Sequence, residues 1–158
     1  MEPNYSPVYP HGEVDASIKA FISHFYHVSD DPDQDAAWVE FFDSDATVIM
    51  GAQTGRGRHG ASLFGQQCPI RILTAFAMLE ITSLRRGMWR TVAKRRHRVD
   101  KVFPAAFGRD GVVEYMLIGS VARESKTGEA QIVDWAGHAR LKGDGRGRWK
   151  LEFYRVYM

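Results

Sequence analysis

The carboxyl-terminal half of this chain is a run of long strand patterns joined by connections too short for anything but hairpins, and no other feature restricts the fold as much. "GVVEYMLIGSVARE", "EAQIVDWAGHARLKG" and "RWKLEFYRVYM" are rich in β-branched and aromatic residues, and the turn signals "SKTG" and "GDGRG" separate them. A fourth strand pattern, "TVAKRRHRVDKVF", precedes them, so the spacing predicts an antiparallel meander of four strands.

The amino-terminal half has a different period. In "EVDASIKAFISHFYHVSD", Val14, Ile18, Phe21, Ile22 and Phe25 recur at helical spacing. "SDDPDQDAAWVEFFDSDA" offers Asp31 as an N-cap, Pro32 at the first helical position, and Trp38, Phe41 and Phe42 as an apolar face. "ATVIMGAQTGRGRHG" then reads as a strand, a glycine turn and a short return strand. It lacks both the Lys-Ser/Thr ending of a phosphate loop and the dinucleotide spacing. "EITSLRRGMW" puts Ile81, Leu84 and Met88 on one helical stripe. Helices first and a meander last indicate an α+β fold. We expect a flexible leader over residues 1–12 and one domain over 13–158. The segment "GASLFGQQCPIRILTAFAML", residues 60–79, is an atypical insert that fits neither period. A translated intron or gene-model error is one reading of it, and a lid or an extended third helix is the other.

The strand that begins near Thr91 raises the question of function, because it carries Lys94, Arg95, Arg96, Arg98 and Lys101 around His97. Strand side chains alternate, so Lys94, Arg96 and Arg98 fall on one face with Val92, Asp100 and Val102, which reads as solvated. Ala93, Arg95, His97, Val99, Lys101 and Phe103 fall on the other, which reads as the wall of a pocket. A single-strand nucleic-acid binder interleaves aromatics with its cations, and the cationic row has none, so no nucleic-acid partner is expected.

"EAQIVDWAGHARLKG" places Asp134 between Val133 and Trp135, where a carboxylate needs a partner. A His–carboxylate pair in a mostly apolar pocket is a general acid/base device. The catalytic candidates are therefore His97 and Asp134, with Arg95 steadying an oxyanion or the carboxylate. Tyr26, Trp38, Trp89, Glu114, Met116 and Phe153 are the candidates for lining such a pocket, with core or interface duty as the alternative use of the aromatic residues. "GVVEYMLIGSVARE" is apolar on both faces, which predicts helices on one side and a second subunit on the other. A net charge of +2, a single cysteine, and no apolar run near membrane length favour a cytoplasmic chain that spans no membrane. The histidines form no zinc motif, so no metal is expected.

This element order resembles the NTF2-like superfamily, and within it the SnoaL-like proteins common in fungi. The likeness runs from about Glu13 to Tyr157 and is carried by "FISHFYHVSD", "FFDSDATVIMG", "EITSLRRGMW" with "RRHRVDKVF", "VDWAGHARL" and "KLEFYRVY". It implies a curved antiparallel sheet wrapped around three helices, a cone with a hydrophobic pocket, and usually a homodimer. It also implies a cofactor-independent isomerase, cyclase or dehydratase acting on a hydrophobic small molecule in fungal secondary metabolism. His97 and Asp134 stand at the matching positions. The other use of the fold is a non-catalytic small-molecule-binding or dimeric assembly module.

Overall fold

The computed structural model describes residues 1–12, 14–57, 80–105, 107 and 111–158. The insert at 60–79 lies outside the described residues. Helix α1 (Ala16–Ser29) starts where Asp15 caps Ser17 N–H with its carboxylate at 2.8 Å. It ends at Asp30, because Pro32 disfavours helical geometry at Asp31. Helix α2 (Asp35–Val39) begins later than the sequence suggests. Asp31 accepts from Asp33 N–H at 2.9 Å and from Gln34 Nε2 at 3.3 Å, so its carboxylate builds a turn before α2 and does not cap the helix. Residues 80–88 form a third helix, α3.

Six strands make one sheet: β1 (Phe42–Met50), β2 (Gln53–Arg56), β3 (Val92–Ala105), β4 (Val112–Ser125), β5 (Ala130–Gly143) and β6 (Trp149–Tyr157), in the order β2-β1-β6-β5-β4-β3. The meander β3 to β6 is antiparallel as the short connections require, and β1 joins β6 in parallel. Helices α1 and α2 pack their apolar residues with one face of the sheet. Phe25 lies at the centre, with ring centroids of Trp38, Phe41, Phe42 and Tyr154 within 5.2–6.1 Å. Burying each such side chain is worth about 1.5–3 kcal/mol relative to leaving it in water. The other sheet face is partly open, with Ile118 and Ile132 exposed.

The leader is ordered against the sheet. β3 is an edge strand, and an edge presents unpaired N–H and C=O groups. Asn4 N–H donates to His97 O (3.1 Å), Val99 N–H to Asn4 O (2.9 Å), Val8 N–H to Asp100 O (2.9 Å) and Val102 N–H to Val8 O (3.1 Å). Residues expected to trail free thus cover the edge as two parallel bridges.

Strand β3 also departs from strict alternation. The register shifts between Val92 and Lys94 and again between Val99 and Lys101. Arg95, His97 and Val99 face inward as the alternation predicts. Beyond the second shift Val102 takes the buried position while Lys101 and Phe103 are exposed, and Ala93 gives its expected inward place to Val92.

Candidate active site

Asp30 lies at the C-cap of α1, one turn after Tyr26 on the same helix face, and is buried. β3 brings His97 against it. His97 Nδ1 stands 2.6 Å from Asp30 Oδ1, the His97 backbone N–H donates to Oδ2 at 2.6 Å, and the Tyr5 hydroxyl donates to the same oxygen at 2.9 Å. Burial alone would raise the Asp30 pKa. The hydrogen bonds from the His97 side chain and backbone, with the charge of Arg95, outweigh it and hold the carboxyl below its ordinary range. Burial pushes the His97 pKa down, and the nearby Arg95 adds to this against the pull of Asp30. Near neutral pH the pair is therefore a carboxylate and a neutral imidazole. A carboxylate only accepts, which assigns the proton to Nδ1 and leaves Nε2 as a lone-pair acceptor. The bonds that His97 makes among the described residues use its backbone N–H and Nδ1, not Nε2.

Two buried guanidinium groups support the pair from below. Arg95 donates to Ser29 O, its Nε lies 3.5 Å from Asp30 Oδ1 as an ion pair without hydrogen-bond geometry, and it stacks over Trp89 at 4.7 Å. Arg85 in α3 is fully buried and donates to Ser29 O (2.8 Å), Val28 O (3.3 Å) and Asp31 O, with Asp35 as its ion-pair partner at 3.1 Å. Ser29 O, which takes both arginines, is the last carbonyl of α1, while Val28 O and Asp31 O also accept the backbone N–H groups of Asp31 and Gln34, so the guanidinium groups close the helix end and oppose its negative pole. Burial, followed by the proximity of Arg85, lowers Arg95 to about 10, which leaves it charged at neutral pH.

Above the pair is a cavity of about 210 Å³. His97, Tyr26, Trp38, Trp135 and Tyr154 line it together with apolar residues such as Met88, Val121 and Val156. The hydroxyls of Tyr26 and Tyr154 are 3.0 Å apart. Burial raises both phenols, Tyr154 to about 12 and Tyr26 well above its ordinary value, so both keep their protons. One hydrogen joins the two oxygens, and the second has no acceptor among the described residues. The indole N–H of Trp135 is buried with no partner among the described residues. Among those residues, no group of three or more His, Cys, Asp or Glu side chains is placed to hold a metal ion.

The structure thus brings together His97, Arg95, Tyr26 and Trp38. Trp89 is buried as the platform for Arg85 and Arg95, not as cavity lining. The expected meeting of Asp134 with His97 does not occur. β5 presents Trp135 inward, so its neighbour Asp134 is exposed on the opposite sheet face. Glu114, Met116 and Phe153 share that face, away from the cavity. There Glu114 binds His138, and the His138 ring lies 5.0 Å from that of Phe153. The acid that reaches His97 is Asp30, to which the sequence pattern assigns no role beside Asp31 as the expected N-cap. Its four-residue spacing from Tyr26 was the available signal.

No family model and no curated protein matches the chain. Solved structures do. ActVI-ORFA from Streptomyces coelicolor superposes with a TM-score of 0.64 at 15% identity, covering 90% of this chain and 94% of its own. Aln2 from a Streptomyces species gives 0.63 at 15% identity, covering 94% and 93%. The hexachlorocyclohexane dehydrochlorinase LinA-type3 from Novosphingobium barchaimii gives 0.65 at 13% identity, covering 90% and 84%. Across nearly its whole length, the chain shares the fold of these structures, an NTF2-like α+β fold.

Proposed function

We propose that the chain is a cofactor-independent enzyme that moves a proton on a hydrophobic small molecule, with His97 as general base and Asp30 as the acid that orients it. The observation that carries this reading is the 2.6 Å contact between His97 Nδ1 and Asp30, which leaves Nε2, unpaired among the described residues, on the edge of a ring lining the cavity. Nε2 takes a proton from carbon. The released electron pair forms a double bond, either placing charge on an adjacent carbonyl oxygen or expelling a leaving group. The free hydrogen of the Tyr26–Tyr154 pair can then stabilise the oxygen or protonate the leaving group. Asp30 steadies the imidazolium until it returns the proton to an isomerised product or, after an elimination, to the tyrosinate left by the departing group. Isomerisation, cyclisation and dehydration all share this first step. The dehydrochlorinase among the structural neighbours is named for an elimination. A place in fungal secondary metabolism and a homodimer complete the proposal.

A generic test is the ring-opening of nitrobenzisoxazole, a one-step C–H elimination that reports any base in an apolar pocket. His97→Asn retains an N–H for Asp30 but removes Nε2. We expect the rate to fall by roughly 10²–10⁴-fold, the usual contribution of a positioned base. Equal rates in the parent and the variant would reject His97 as the base.

A further inference from the structure

We propose that the leader is part of the catalytic apparatus and that Tyr5 is a positioning residue, whose phenol sets the orientation and basicity of the His97–Asp30 pair. The inference rests on the acid/base reading above. It goes beyond that reading because it assigns a role to a segment outside the cavity.

Asp30 must hold the His97 ring in one tautomer and one orientation, and each of its oxygens is occupied. Oδ1 takes the Nδ1–H of His97 and faces the Arg95 guanidinium. Oδ2 takes the backbone N–H of His97, which leaves one further acceptor direction, and the Tyr5 hydroxyl fills it at 2.9 Å. Tyr5 reaches this point only because the bridges at Asn4 and Val8 pin the leader along β3 on either side of it. Its ring also meets His27 of α1 edge-on, at 5.6 Å between centroids. The contact therefore joins the leader, the end of α1 and β3 at one carboxylate.

The charged and titratable groups around Asp30 and Tyr5 are His97, Arg95 and Arg96 from β3, Arg85 from α3 with Asp31 and Asp35 beside it, Tyr26 and His27 from α1, and Tyr5 itself from the leader. Of these, Tyr5 is a neutral donor to the carboxylate. A neutral donor draws charge from the carboxylate, so less remains to stabilise an imidazolium. Removing it makes Asp30 the stronger partner of protonated His97 and raises the pH at which His97 titrates.

The experiment uses the full chain and nitrogen-detected NMR of the imidazole, which needs no substrate. In Tyr5→Phe the His97 midpoint is expected to rise by about half a unit. The low-pH limb of nitrobenzisoxazole turnover should move in the same direction. Tyr9→Phe is the control. The Tyr9 hydroxyl is buried on the same leader with no partner among the described residues, so its loss should leave His97 unmoved. An unshifted His97 in Tyr5→Phe overturns the proposal, and so does an equal shift in Tyr9→Phe, which would mean general loosening of the leader. If Tyr5→Phe moves His97 while His97→Asn leaves the elimination rate intact, the coupling stands and the catalytic reading falls.

Discussion

Replacing Asp30 with Asn separates the two acids considered for this site. The substitution keeps the volume, so no cavity opens and the effect is electrostatic. In the parent, the carboxylate faces three donors, the Nδ1–H and backbone N–H of His97 and the Tyr5 hydroxyl, with Arg95 at 3.5 Å. An amide offers one oxygen and one NH₂, so at least one donor meets a donor unless the imidazole changes tautomer. Arg95 also loses its only carboxylate partner among the described residues while remaining buried. Removing one member of a buried pair costs roughly 3–5 kcal/mol. At this chain length each kcal/mol lowers the melting temperature by roughly 2–4 °C, so the expected loss is roughly 6–20 °C. Differential scanning calorimetry beside urea unfolding would measure it. Asp134→Asn, at an exposed position on the other face, should stay within about 0.5 kcal/mol of the parent. If Asp30→Asn melts with the parent, or if Asp134→Asn is the more damaging change, the buried-pair reasoning is wrong.

Two more outcomes follow from the same geometry. Because burial lowers the His97 pKa below its ordinary 6.5, the unfolded chain binds more protons than the folded one as the pH drops below that value. Stability is therefore complete above about 6.5 and declines as the pH falls towards the folded-state pKa, and Asp30 adds a second loss below its ordinary 3.8. Urea midpoints at pH 7 and pH 5 should differ in the parent and differ less in His97→Asn; identical slopes would show that His97 is not buried neutral. Gly119→Ala should destabilise by about 1–3 kcal/mol, since a Cβ there would lie 2.0 Å from the Arg98 carbonyl oxygen and neither strand can yield without breaking register. Unchanged urea unfolding would mean that β3 and β4 are less tightly apposed at this point.

The meander was legible because alternation and short turns are local properties, and β3 to β6 pair in sequence order. The parallel seating of β1 on β6 was not, because nothing near Thr47 in the chain announces Phe153 as its partner. His97, Arg95, Tyr26 and Trp38 were placed at the site by face and residue type. Asp134 was misjudged because an acid flanked by Val133 and Trp135 looks enclosed, although one face of β5 is open to solvent. Asp30 was hidden in "SDD", where its neighbour Asp31 draws the eye as a helix cap, and its bond to His97 crosses 67 positions. The inward run past Val99 failed for a third reason, the register shift before Lys101, which no periodicity encodes.

The leader can dock only on a finished β3, since its backbone partners, His97, Val99, Asp100 and Val102, become an available row once β4 has fixed the other side of that strand. Its closure spans about ninety-five residues of chain and is held by few contacts, which places it late in assembly and early in local opening. A molecule can therefore be spectroscopically folded and yet leave the acid of its central pair one donor short. Protection of the Val99 and Val102 amides, weaker than in the meander but above that of an open edge, marks the completed molecule.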